Sequence, residues 1–332
     1  MSAESEREIN KTRFGPDRRQ SAPVLLTALA GLCLSLLPQV AASPAGGFYT
    51  INFPPETLGN VGTIGPNESY TDKHGPGHVF ASANGPTRVP RGADLSFTST
   101  DKMGLENALD ILKFIPSDAL TSLSLKHAIL SNSEVPKLIK FRRLRRLELS
   151  GTEVDDKTVE QLGALPLEAL ILDRTRIHGA FLVGLANNSC IKHINVEHND
   201  FDRDYLQELK NFPQLQWLNV SRIDLHNSDL NTIAKLTALK HLDLTGNNKL
   251  TATNLASLNT LKHLNSMRIA YTGLHVRDLQ KLKGLPLRHL RIDTKQADKD
   301  DLAALEKIFP GIAVGSETNE DKTYGIYREL FQ

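Results

Sequence analysis

Little in this sequence announces chemistry. The chain has two cysteines in 332 residues, Cys33 and Cys190. Without paired cysteines there is no zinc-ribbon spacing and no disulfide framework of the kind that holds small secreted domains together. There is no Gly-rich phosphate loop, no His-Glu-x-x-His and no Gly-x-Ser-x-Gly, so the usual signatures of nucleotide, metal and acyl-transfer chemistry are missing. Charge of one sign is missing too. Lys+Arg number 39 against 38 Asp+Glu, a net charge of +1, whereas nucleic-acid binding normally needs a concentrated basic face. The one basic cluster, Arg142, Arg143, Arg145 and Arg146, flanks Leu144 and Leu147 and reads as solvating the edge and face of a strand. Aromatics make up 6% of the chain and include a single tryptophan, Trp217. Against these absences stand 40% hydrophobic and 23% charged residues, ordinary proportions for a packed chain.

The N-terminus carries an address. Residues 1 to 21 are polar and include Lys11, Arg13, Arg18 and Arg19, and an apolar run follows from Ala22 to Val40. The small-residue exit Val40-Ala41-Ala42 completes a secretory signal pattern with cleavage after Ala42. Retention of the run as a membrane anchor is the competing reading, because its length barely spans a bilayer. On either reading the rest of the chain is exported: periplasmic, cell-surface or secreted. Cleavage would leave Cys190 as the sole cysteine, expected as a small buried apolar side chain.

What the chain does have is a period. Leu-x-x-Leu-x-Leu blocks recur from Leu120 onward, with middle apolar residues Leu123, Leu147, Leu170, Ile194, Leu218, Leu242, Met267 and Leu290, separated by 24, 23, 24, 24, 24, 25 and 23 residues. No single unit of this size buries its own apolar face, so the units must stack into a solenoid. Each block reads as a short strand. Behind it comes apolar spacing near the helical repeat, as in Val154, Val159, Leu162 and Leu165, with Asp155 or Asp156 placed to cap the helix. Prolines such as Pro166, Pro213 and Pro286 end several of these helices. Narrowly spaced strands on one side and wider helices on the other bend the stack, so the expected fold is α/β: a horseshoe with a concave parallel sheet and short convex helices.

Residues 43–101 differ, being rich in Gly, Pro, Ser, Thr and Asn. Short β-like runs at Val61 to Ile64, His78 to Ala81, Thr87 to Val89 and Ala93 to Thr98 are bounded by turn residues, as strands are. This segment reads as a small β-rich cap or linker covering the apolar end of the array, with Leu95-x-Phe97 as an irregular strand ahead of the first repeat. The expected organisation is a signal peptide at 1–42, the cap at 43–101, the solenoid at 102–314 and a tail at 315–332.

From Leu120 to Val314 the chain resembles the leucine-rich repeat family, most of all bacterial exported members whose repeats read Leu-x-x-Leu-x-Leu-x-x-Thr/Asn-x-Ile/Val. Thr152, Thr175, Asn199, Asn247 and Thr272 occupy the Thr/Asn turn position, and Ala128, Ile223 and Lys295 depart from it. The resemblance implies the horseshoe fold. It implies little about function, because such proteins bind proteins, glycans, lipids and small ligands.

Function should then lie on the sheet. Alternation sends the leucines inward and the intervening residues to the opposite face. One column there reads Ser122, Arg146, Ala169, His193, Trp217, His241, Ser266, His289, and the next Ser124, Glu148, Ile171, Asn195, Asn219, Asp243, Arg268, Arg291. A third reads Lys126, Ser150, Asp173, Glu197, Ser221, Thr245, Ala270, Asp293. Trp217 between His193 and His241 has the composition of a binding hot spot if it is exposed. The candidate ligand-binding set is His193, Asn195, Glu197, Trp217, Asn219, His241 and Asp243. His193 and His241 lie two strands apart, too far to share one metal ion, so no metal or cofactor is expected. The reading is a non-enzymatic recognition protein with a protein partner. The alternative is a glycan or cell-wall binding module that uses Trp217 and its polar neighbours.

Overall fold

The structure is a computed structural model that describes residues 47–55, 58–64, 78–99, 109–293, 297 and 299–316. All of them lie in the compact unit Gln39–Gln332. The signal pattern of residues 1–42 and the turn residue Lys295 fall outside the described residues.

Nine short strands follow the repeat: β6 (Leu120–Ser124), β7 (Arg146–Glu148), β8 (Ala169–Ile171), β9 (His193–Asn195), β10 (Trp217–Asn219), β11 (His241–Asp243), β12 (Ser266–Arg268), β13 (His289–Ile292) and β14 (Ala313–Ser316). Each pairs in parallel with the next in sequence order. The last of them, β14, runs to Ser316, two residues past the expected solenoid end at 314.

Strands ahead of the repeats extend the same sheet. Strand β5 (Asp94–Ser99) lies parallel to β6 with a register shift at Leu95/Ser96, which is the irregular strand expected ahead of the repeats. Strands β2 (Gly59–Ile64) and β3 (His78–Ser82) continue from it in antiparallel fashion. The sequence pattern did not reveal β1 (Phe48–Asn52), which pairs with β4 (Pro86–Pro90) in a separate two-stranded sheet.

The inward residues build one continuous core from Ile51 to Ile312. Leu123, Leu147, Leu170, Ile194, Leu218 and Met267 are fully buried, and burial of each such side chain is worth about 1.5–3 kcal/mol. Behind the sheet run short helices, α1 (Asp156–Glu160), α2 (Phe181–Gly184) and α3 (Leu230–Ile233), mixed with 3-10 turns, and a longer α4 (Lys299–Ile308). Asp155 caps α1 by accepting from Thr158 N at 2.9 Å. Asp156 instead reaches into the next repeat and accepts from the backbone N–H groups of His178, Gly179 and Phe181. Ahead of β6, Asp110–Lys113 form a 3-10 turn.

The turn residues lock repeat to repeat. Thr152 Oγ1 donates to Leu149 O and Thr272 Oγ1 to Ile269 O, each three residues back. Asn199 and Asn247 do the same and also reach a carbonyl of the preceding repeat. Ile223 has no side-chain donor for this bond, and Asn247 of the next repeat compensates by accepting from Ile223 N and Leu225 N. Just ahead of each turn residue the backbone is left-handed, at His127, Gly151, Arg174, His198, Arg222, Gly246 and Tyr271. Two glycines relieve that demand; the other five residues carry its steric cost of about 1–2 kcal/mol each. Cys190, expected to be buried, is half-buried.

Candidate functional site

The three columns read from the sequence fall into register on the sheet face turned away from the core. Trp217 pairs with His193 on one side and His241 on the other, and Asn219 pairs with Asn195 and Asp243. The seven candidate residues therefore share one face. Six of them lie on β9, β10 and β11 in adjacent columns; Glu197 stands two residues beyond Asn195, at the level where His198 N donates to Ser221 O.

Facing outward does not expose them all. Asn219 is 0% exposed, Asn195 1%, Asp243 and Trp217 5% and Glu197 8%, while His193 and His241 are half-buried. The expectation of an exposed tryptophan is corrected here. Neighbouring strands stand about 4.8 Å apart, so long side chains in adjacent columns cover one another. The Trp217 indole packs with Ile171, two strands away, in a small apolar cluster separate from the main core. It meets the His193 ring edge-on, with centroids 6.5 Å apart and planes at 77°.

The second column ends each strand in the same way. Asn195 Oδ1 accepts from Glu197 N, Asn219 Oδ1 from Ser221 N, and Asp243 Oδ1 from Thr245 N, each at 2.9 Å. These side chains hold the turn that begins just past the strand, a structural role for three of the candidates. Their other atoms link repeats. Asn195 Nδ2 donates to Asp173 at 3.5 Å, Asn219 Nδ2 donates to Glu197 Oε2 at 3.1 Å, and Arg268 stands 3.5 Å from Asp243 Oδ2. Ser150 Oγ donates to Asp173 as well. One run of polar contacts thus links the repeats of β7 to β10, and a second links those of β11 and β12.

Charge is distributed unevenly in this network. Burial, followed by the carboxylates of Asp243 and Asp173, pushes the Glu197 carboxyl up to about 7, against the opposing pull of the Asn219 hydrogen bond and of Arg174. Burial lowers His193 to about 3, helped by Arg146 and Lys192, and lowers His241 to about 4, helped by Lys240 and His289. Both imidazoles are neutral at physiological pH. Among the described residues no three His, Cys, Asp or Glu side chains are grouped to hold a metal ion, and no helix is long and apolar enough to cross a membrane. Sequence reasoning missed Thr245, whose buried Oγ1 has no hydrogen-bond partner among the described residues; it stands in the third column, but an isolated threonine there gave no signal.

No protein-family model matches the chain, and no curated protein matches it. Among solved structures it is similar to an internalin of Listeria monocytogenes, with 19% identity, 64% of this chain and 57% of that one covered, and a TM-score of 0.43. A leucine-rich-repeat protein of Leptospira interrogans matches at 18% identity over 64% and 57%, with a TM-score of 0.45. The yeast complex of Rad7 and Elc1 matches at 16% over 64% and 58%, with a TM-score of 0.48. The chain spans a little over half the length of each of these. Its architecture rests on its own repeat: leucine blocks about 24 residues apart, each forming a strand laid parallel to the last, make the chain a leucine-rich-repeat solenoid.

Proposed function

We propose that the chain is an exported, non-enzymatic recognition module that takes a protein partner on the outward face of its sheet, centred on His193, Asn195, Glu197, Trp217, Asn219, His241 and Asp243. The observation that carries this reading is the set of polar side chains on β9, β10 and β11 already held by hydrogen bonds. Polar side chains already fixed by hydrogen bonds lose little freedom when a partner docks on them, and that lowers the cost of association. Trp217 then serves as the floor beneath the histidines rather than as a protruding anchor. A glycan reading needs an indole face for a sugar to stack on, and 5% exposure of Trp217 leaves little of one, which favours the protein reading. Export is supported by the signal pattern of residues 1–42.

A partner recovered from envelope extract should be measured against three forms of the chain. His241→Glu places a charge among the candidate residues. Val183→Asp alters an exposed residue of α2, on the far side of the repeat. His241→Glu should weaken binding by tenfold or more, with Val183→Asp indistinguishable from the unaltered chain. Loss of binding in Val183→Asp alone would overturn the reading.

A further inference from the structure

We propose that Glu197, Asp243 and Thr245 form a seat for one primary ammonium group, presented by a lysine side chain of the protein partner. The proposal rests on the preceding reading that this face is the contact surface, and it names the chemistry met there.

Glu197 follows β9, and Asp243 and Thr245 belong to β11 and the residues just after it, so one strand, β10, runs between them. That places their backbones about 9–10 Å apart. Glu197 closes part of the distance. Its Oε2 accepts from Asn219 Nδ2 of the intervening repeat at 3.1 Å, so the carboxyl leans over β10 toward Asp243. The residue beneath, in the same column, is the small Ser221, whose hydroxyl is engaged with Asn219 Oδ1 at 2.6 Å. About one strand spacing is left between the two carboxylates, which one cation spans when it donates to both at about 2.8 Å.

A second observation points to a ligand there. Thr245 is 6% exposed, and its Oγ1 has no hydrogen-bond partner among the described residues. It stands next to Asp243, which accepts from Thr245 N. A buried hydroxyl left unpaired is costly and uncommon, and a docked donor would satisfy it.

The acceptors select the kind of cation. Glu197 has one oxygen bonded to Asn219, and Asp243 has one oxygen taken by Thr245 N and the other 3.5 Å from Arg268. Neither carboxylate offers the two free, coplanar oxygens that a guanidinium fork pairs with, whereas an ammonium directs three rotatable donors at separate points. A divalent ion would need three or more such ligands drawn together, and the described residues hold no such group.

The charges around Glu197 agree. Asp243 and Asp173 face it, the opposing charge of Arg174 is weaker, and Glu197 itself makes no ion pair among the described residues. The unfilled seat therefore favours the protonated acid, with Glu197 up to about 7. An arriving ammonium pulls that value down and expels the proton.

The test uses the full chain labelled with carboxyl-13C glutamate, with the Glu197 signal assigned through Glu197→Gln. The probe is Nα-acetyl-lysine methylamide, and the uncharged control is Nα-acetyl-norleucine methylamide. With the lysine probe the Glu197 midpoint should fall, and affinity should rise about tenfold from pH 6 to pH 8 as the ionised fraction grows. Glu197→Gln should abolish that pH dependence. Thr245→Val, which keeps shape and removes the hydroxyl, should weaken the probe several-fold even if Glu197→Gln does not fold. A midpoint unmoved by the lysine probe, or moved equally by norleucine, overturns the seat. If the amine fails while His241→Glu still weakens the partner, the seat is wrong and the recognition face stands. If the amine binds but neither Glu197→Gln nor His241→Glu affects the partner, the site takes an ammonium but not the partner's lysine, and both that assignment and the recognition reading fail.

Discussion

Replacing Asn247 by alanine should damage two repeats at once. The side chain is 1% exposed. Its Nδ2 donates to Val220 O at 2.9 Å and Leu244 O at 2.8 Å, and its Oδ1 accepts from Ile223 N at 3.2 Å and Leu225 N at 3.0 Å. Alanine leaves two buried N–H groups and two carbonyls without these partners. An unsatisfied buried donor costs about 1–3 kcal/mol, so the N–H groups alone predict a loss of about 2–6 kcal/mol. Thr152→Ala is the control. Thr152 makes one such bond, to Leu149 O, and should cost about 1 kcal/mol. Urea unfolding followed by circular dichroism gives both values, and hydrogen exchange at the Ile223 and Leu225 amides locates the damage. Because a solenoid's repeats are coupled mainly to their neighbours, the transition of Asn247→Ala should broaden or split. A loss equal to that of Thr152→Ala, with both amides still protected, would refute the idea that Asn247 serves the repeat whose own turn residue is Ile223.

Leu218→Ala should cost about 2–5 kcal/mol as a core truncation, and Asn219→Ala about 1–3 kcal/mol through the lost bonds to Ser221 and Glu197; a neutral Asn219→Ala in denaturant unfolding would sink the structural role given to the second column. Glu197, raised from 4.5 to about 7, binds a proton in the folded chain that the unfolded chain releases. Its contribution is therefore most favourable below pH 4.5 and is lost as pH rises to about 7, a swing on the order of 3 kcal/mol. Glu197→Gln should thus gain stability relative to the unaltered chain between pH 5 and 8, and a difference that stays flat with pH would count against the assignment. His193 and His241, lowered mainly by burial to about 3 and about 4, act with the opposite sign: their contribution is full above 6.5 and is lost as pH falls toward those values. Trp217 is the sole tryptophan and is 5% exposed, so its fluorescence should be blue-shifted and poorly quenched by iodide; a red-shifted, readily quenched emission would restore the exposed-anchor picture.

The fold was legible because the repeat over-determines it. A steady spacing of leucines sets strand after strand in register, and alternation then places every outward residue, so all three columns could be written down from the sequence. A cap at Asp155 or Asp156, and Thr152, Asn199 and Asn247 as turn residues, were legible for a similar reason: small polar side chains at an element's end bond to nearby backbone. Exposure was not legible. Alternation says that Asn219 and Trp217 point away from the core, but it says nothing about how closely the next repeat covers them. Nor did the sequence show the left-handed position ahead of each turn, since only Gly151 and Gly246 advertise it, among His127, Arg174, His198, Arg222 and Tyr271. The state of Glu197 depends on Asp243, two repeats and 46 residues away, and a linear pattern does not reveal which long side chains lean toward one another. Strand β1 was hidden because it pairs with β4 alone and so lacks the period that marks the others.

The claim that the outward sheet face is the working surface is tested most directly by hydrogen exchange of the chain with and without its partner. The account predicts slowed exchange on partner binding at the backbone amides of residues 193–198, 217–222 and 241–246, with the helical side at α1, α2 and α3 unchanged. Protection confined to those helices, with the three strand segments exchanging as before, would contradict it.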